Sequence, residues 1–96
     1  SSTLIPMSTA AYQGNYFLLS NTIENGISTV IYKSVFPEET IFSKMEVNCS
    51  KKQYRKVGEG INDLIDMTSY EDKGEWIKPV QGASHDDVIK FVCQNS

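Results

Sequence analysis

The sequence predicts an α+β domain: an antiparallel β-sheet of about five or six strands with one C-terminal helix packed on one face and tied there by a disulfide. Three observations carry this. β-branched and aromatic runs bounded by turn residues fill most of the chain after residue 15. Apolar positions near the C-terminus recur at helical spacing instead. The two cysteines fall one in each kind of segment. A chain of 96 residues holds one such domain. Residues 1–15 are small, polar and unpatterned and read as a flexible lead-in, leaving 16–96 as the folded unit.

The elements follow in order. The apolar run at 16–19 leads through polar residues to the turn signal Glu24, Asn25, Gly26. Residues 28–36 (STVIYKSVF) then suit a strand covered on much of both faces, so the two runs form a hairpin. Residues 37–39 end it. From 41 to 49 the chain alternates: Ile41, Ser43, Met45, Val47 and Cys49 on one face, Phe42, Lys44, Glu46 and Asn48 on the other. Lys51 and Lys52 make an exposed turn, 53–57 returns as the neighbouring strand, and Gly58 and Gly60 loosen the chain. Ile61, Leu64, Ile65 and Thr68 sit at helical spacing, but 66–70 also reads as a strand and 64–71 is taken as one, with 74–83 an extended crossing segment.

At the end, Ser84 stands as an N-cap, with Asp86 and Asp87 where the positive end of a helix dipole favours acids. Val88, Ile89, Val92 and Cys93 then share an arc of about 140°, so 84–94 is a short amphipathic helix. Cys49 lies on the apolar face of a strand and Cys93 on the apolar face of this helix. Docking the helix on the sheet brings them together as one bridge; the alternative is two buried free thiols in a reducing compartment.

The net charge of −3 argues against non-specific nucleic-acid binding. No apolar stretch approaches the roughly 18–20 residues of a membrane span. The chain opens on Ser1 without a basic-then-apolar leader, which fits either a mature form after processing or a chain trimmed to the same start.

No catalytic, cofactor-binding or metal-binding constellation emerges. Ser84, His85 and Asp86 are adjacent in sequence and point in different directions around a helix start, so they suit capping rather than a triad. Cys93 lies two turns from His85 and faces the core. The acidic stretch Asp63, Asp66, Glu71, Asp72 and Glu75 lacks the spacing of a calcium loop, and Gly58-Glu59-Gly60 lacks the lysine of a phosphate loop. Asn48-Cys49-Ser50 has the form of a glycosylation acceptor, which a bacterial chain does not ordinarily use. Trp76 reads as a core residue.

One cluster remains as a candidate binding surface: Lys51, Lys52, Tyr54, Arg55 and Lys56. Its cations could steer an anionic partner, or they could simply blunt an edge strand against pairing. Tyr54 is equally suited to an interface or to packing.

Asn48-Cys49, then Tyr54-Arg55, then Trp76-Ile77-Lys78-Pro79, then a serine before a short helix ending Val92-Cys93, resembles the surface-adhesin protein E family of small exported Gram-negative proteins. The likeness runs over about 41–93. It implies a sheet of about six antiparallel strands with a C-terminal helix tied to its concave face. It also implies location in the periplasm or on the outer-membrane surface, binding to host laminin, vitronectin or plasminogen, and a tendency to form homodimers. Size, charge and a disulfide fit a second expectation equally: a periplasmic immunity or inhibitor protein that neutralises a secreted bacterial toxin or lytic enzyme.

Overall fold

Asn25 and Gly26 both adopt positive φ, 54° and 78°, and so make the tight turn whose twist matches that of a hairpin. The hairpin joins β2 (Asn15–Glu24) to β3 (Ile27–Val35), with Glu24 paired to Ile27 across the turn. The structure, a computed structural model, describes residues 2–8, 14–64 and 67–94. β1 (Thr3–Ile5) precedes this hairpin, and β4 (Thr40–Asn48), β5 (Gln53–Ile61) and β6 (Thr68–Ser69) follow it. All six lie side by side in sequence order, each antiparallel to the next. The one helix among the described residues, α1 (Ser84–Cys93), packs on one face. The predicted fold class is the observed one, including the Cys49–Cys93 bridge, whose Cα atoms are 5.6 Å apart.

Strand alternation places the core on the helix side of the sheet. Ser28, Val30, Tyr32 and Ser34 of β3 are buried while their neighbours are half-exposed. Across the ladder, Ser28 meets Val47, Val30 meets Met45 and Tyr32 meets Ser43. Val88 and Ile89 of α1 close over this row, with Ile5 and Tyr16 completing the cluster. Cys49 sits immediately beyond β4 and is packed against the same cluster. Burial raises the Tyr32 pKa to about 12, partly offset by its hydrogen bond with Ser43.

Four expectations change. Thr3–Ile5 is not lead-in but strand: Ile5 pairs with Tyr16 and is almost fully buried. The rest of the lead-in at 9–13 lies outside the described residues. Gly58 and Gly60 do not loosen the chain; both belong to β5. A Cβ on Gly60 would lie 3.0 Å from the Asp63 carbonyl oxygen and the Met67 Cα, so glycine is needed there to let the following loop close down. The strand expected over 64–71 contracts to Thr68–Ser69, paired with Gly58 and Glu59; residues 65 and 66 lie outside the described residues.

The fourth change is at the helix start. The N-cap is Ala83, with no side-chain capping bond, and Ser84 is already the first helical residue. The turn from Val80 to Ala83, with Gly82 at φ 84°, sets this entry point. Asp86 does the capping from inside, its Oδ2 accepting a hydrogen bond from the Gly82 N–H at 3.0 Å.

Candidate functional site

Alternation along β5 divides the basic cluster. Val47 pairs with Tyr54 and Met45 with Lys56, so Tyr54 and Lys56 share the helix side of the sheet. Arg55 pairs with Glu46 and turns to the opposite face. There its Nε lies 2.8 Å from Glu46 Oε1, and its guanidinium sits over the Trp76 ring at 4.4 Å. Lys73 reaches the other oxygen of Glu46 at 2.9 Å. Partial desolvation works to raise the Glu46 pKa, but hydrogen bonds from Lys73 and Arg55 outweigh it and hold the group below its ordinary range. Trp76 is therefore half-buried beneath a cation on the outer face, not in the core.

On the helix side Lys51 and Lys52 stand exposed in the β4–β5 turn. Asn48 Oδ1 accepts from the Lys51 N–H at 3.1 Å, and Lys52 takes the left-handed backbone conformation at φ 54°. Lys56 pairs with Glu59. Tyr54 is held at its backbone by two hydrogen bonds with Ile77, at 2.9 and 2.8 Å, where the extended crossing segment closes that edge of the sheet.

The residue that sequence reasoning missed is His85. Its ring stacks on Tyr54 with centroids 5.0 Å apart, and its Nδ1 lies 3.3 Å from the Tyr54 hydroxyl. In the neutral tautomer with its hydrogen on Nε2, the hydroxyl donates to Nδ1. The flanking acids are engaged elsewhere. Asp86 binds Gly82 and Lys90, and Asp87 accepts from both the backbone N–H and the hydroxyl of Ser8. The serine, histidine and acid adjacent in sequence thus do not form a relay. Among the described residues no group of three or more His, Cys, Asp or Glu is placed to hold a metal ion.

No family model, curated protein or solved structure matches the chain.

The helix side of this hairpin thus carries two exposed lysines, the Lys56–Glu59 pair and the stacked rings of Tyr54 and His85. Among the described residues no helix is long and apolar enough to cross a membrane. The disulfide fits an oxidising, exported compartment.

His85 gives this surface a pH dependence. Burial lowers its pKa below the ordinary 6.5, and the Lys56 ammonium adds to that. The unfolded chain therefore binds the proton at higher pH than the folded chain does. The stability associated with neutral His85 is complete above about pH 6.5 and is lost as pH falls through the folded pKa. The shifted acids Glu46 and Asp86 titrate lower, since both have depressed pKa values. Thermal melts should show a declining midpoint from pH 7 to about pH 5, and His85→Gln should flatten that decline. An unchanged slope in the variant would assign the effect to another group.

Proposed function

We propose that this chain is an exported, non-enzymatic binding domain that engages a protein partner through the β4–β5 hairpin and the start of α1. The observation that supports it is the placement of Lys51 and Lys52, exposed beside the Tyr54–His85 stack, at the end of the sheet where the disulfide fixes both elements. Rigid aromatics next to flexible cations suit recognition of an acidic protein surface, because the rings contribute contact area and the ammonium groups steer the encounter. The resemblance to surface-adhesin protein E gives the partner class: host matrix and plasma proteins such as laminin, vitronectin or plasminogen, contacted from the periplasm or outer-membrane surface.

A second reading rests on one observation. Glu71, Asp72 and Glu75 are all exposed in the loop before Trp76, an acidic projection of the kind an immunity or inhibitor protein would offer to a basic toxin or lytic enzyme.

The oxidised protein, immobilised, would be offered laminin, vitronectin and plasminogen at low and physiological salt. Binding of at least one of them should weaken with salt and fall by about tenfold in Lys51→Glu/Lys52→Glu. Arg55→Gln, on the opposite face, should leave it unchanged. Failure to retain any of the three, with retention of one secreted bacterial enzyme that is lost on neutralising Glu71, Asp72 and Glu75, would replace the first reading by the second.

A further inference from the structure

The face of the sheet opposite α1 carries a pattern that the hairpin surface does not use. Six strands and one helix make up the described elements, and the helix covers only the inner face, so no element stacks on the outer side of β3 and β4. There the register sets Lys33 opposite Phe42 and Ile31 opposite Lys44. Two lysines thus occupy one diagonal of a square and two apolar side chains the other. All four are half-buried by their neighbours. Phe17, paired with Lys33 from β2, holds that ammonium at 5.4 Å from its ring centroid. Among the described residues neither Lys33 nor Lys44 has a carboxylate partner, whereas Arg55 and Lys73 share the one carboxylate of Glu46.

The geometry points to this square as a docking site for an acidic protein segment in extended conformation, carrying carboxylates two residues apart and apolar side chains around them. Charge complementarity selects the segment. Two cations with no carboxylate partner among the described residues lie on one face of a chain whose net charge is −3. Spacing selects its conformation. Diagonal positions on neighbouring strands are about 7–8 Å apart, and side chains two residues apart in an extended chain are about 6.8 Å apart on the same side. Carboxylates at such positions stand over both lysine positions, within reach of the Lys44 ammonium and of the Lys33 ammonium once it swings off the Phe17 ring, with Ile31 and Phe42 flanking the segment. A nucleic acid or sulfated polysaccharide needs a longer track of cations. Here Arg55 and Lys73, the cations that continue this face beyond Lys44, both sit on the Glu46 carboxylate, which interrupts such a track, and half of the square is apolar. This surface lies on the opposite side of the sheet from Tyr54 and Lys56, so the proposal is independent of the hairpin reading.

The probe is a fluorescein-labelled peptide with a Glu-Ser-Glu centre flanked by leucines, compared with its Gln-Ser-Gln counterpart, an oligothymidylate and a heparin oligosaccharide. The acidic peptide should bind the oxidised protein. Replacing its acids by glutamine, or Lys33→Gln/Lys44→Gln in the protein, should weaken binding about tenfold. Amide shifts on the unsubstituted protein make the test independent of whether that variant folds: they should concentrate at Lys33, Phe42 and Lys44. Shifts confined to the 49–52 turn or to α1 would overturn the assignment, as would equal binding by the lysine variant. Binding of the oligothymidylate or heparin to these residues at equal or higher affinity would overturn the peptide in favour of a polyanion.

Discussion

Cys49→Ser/Cys93→Ser lowers the melting temperature by about 20 °C or more, measured against the oxidised protein at pH 7. The bridge spans a sequence separation of 44 residues, and the chain-entropy relation for a loop of that length gives about 4 kcal/mol. For a domain of this size each kcal/mol moves the midpoint by about 4–8 °C. The loss should not stay local. α1 has 10 residues, too few to persist in water by itself. Its Val88 and Ile89 belong to the same buried cluster as Val30, Met45 and Val47 of the sheet, so a helix that lets go uncovers the inner face of β3 and β4. Adding reductant to the native protein should reproduce the effect of the double substitution. A midpoint that falls by less than about 5 °C would mean that apolar docking alone holds the helix and that the bridge is incidental to stability.

The parts of the fold legible in the sequence are those with a period to read. β3 and β4, at nine residues each, alternate long enough for one face to be identified, and the buried set Ser43, Met45 and Val47 is the one the alternation names. β1 has three residues and no period; the pairing of Ile5 with Tyr16 and its burial reveal it. The basic cluster at 51–56 looked continuous because it is continuous in sequence. The alternation of β5 already contained the signal that Arg55 must face away from Tyr54 and Lys56. His85 had no such signal. Its partner Tyr54 is 31 residues distant and on another element, so the stack exists only once α1 has docked. The helix dipole accounts for acids at Asp86 and Asp87, but it does not show that both are buried or that each has a tertiary or capping partner. Local physics placed the charges at the right end of the helix; packing decided what they bind.

Asp87→Ala destabilises the domain by about 2 kcal/mol, because it removes a buried carboxylate and the two hydrogen bonds that it accepts from Ser8. Asp87 Oδ2 accepts from the Ser8 N–H at 3.0 Å and from its hydroxyl at 3.1 Å, across 79 residues of sequence. This link fixes the segment after β1 to the first turn of α1. Together with the buried side chain of Ile5 it is what makes a three-residue strand persist at the sheet edge. Hydrogen exchange separates this effect from simple global destabilisation. In Asp87→Ala the amides of residues 3–8 should exchange far faster than those of β3 and β4, which open only with the whole domain. Asp87→Asn keeps a carbonyl oxygen in the same place and should lose about half as much, since a neutral acceptor makes the weaker bonds. Ser8→Ala removes only the hydroxyl donor and should cost least of the three. If Asp87→Ala instead left both the denaturation midpoint and the exchange at residues 3–8 unchanged, β1 would be held by Ile5 alone. The open groove between Met7 and Phe91 beside Asp87 would then be a packing defect that the fold tolerates rather than a gap bridged by this link.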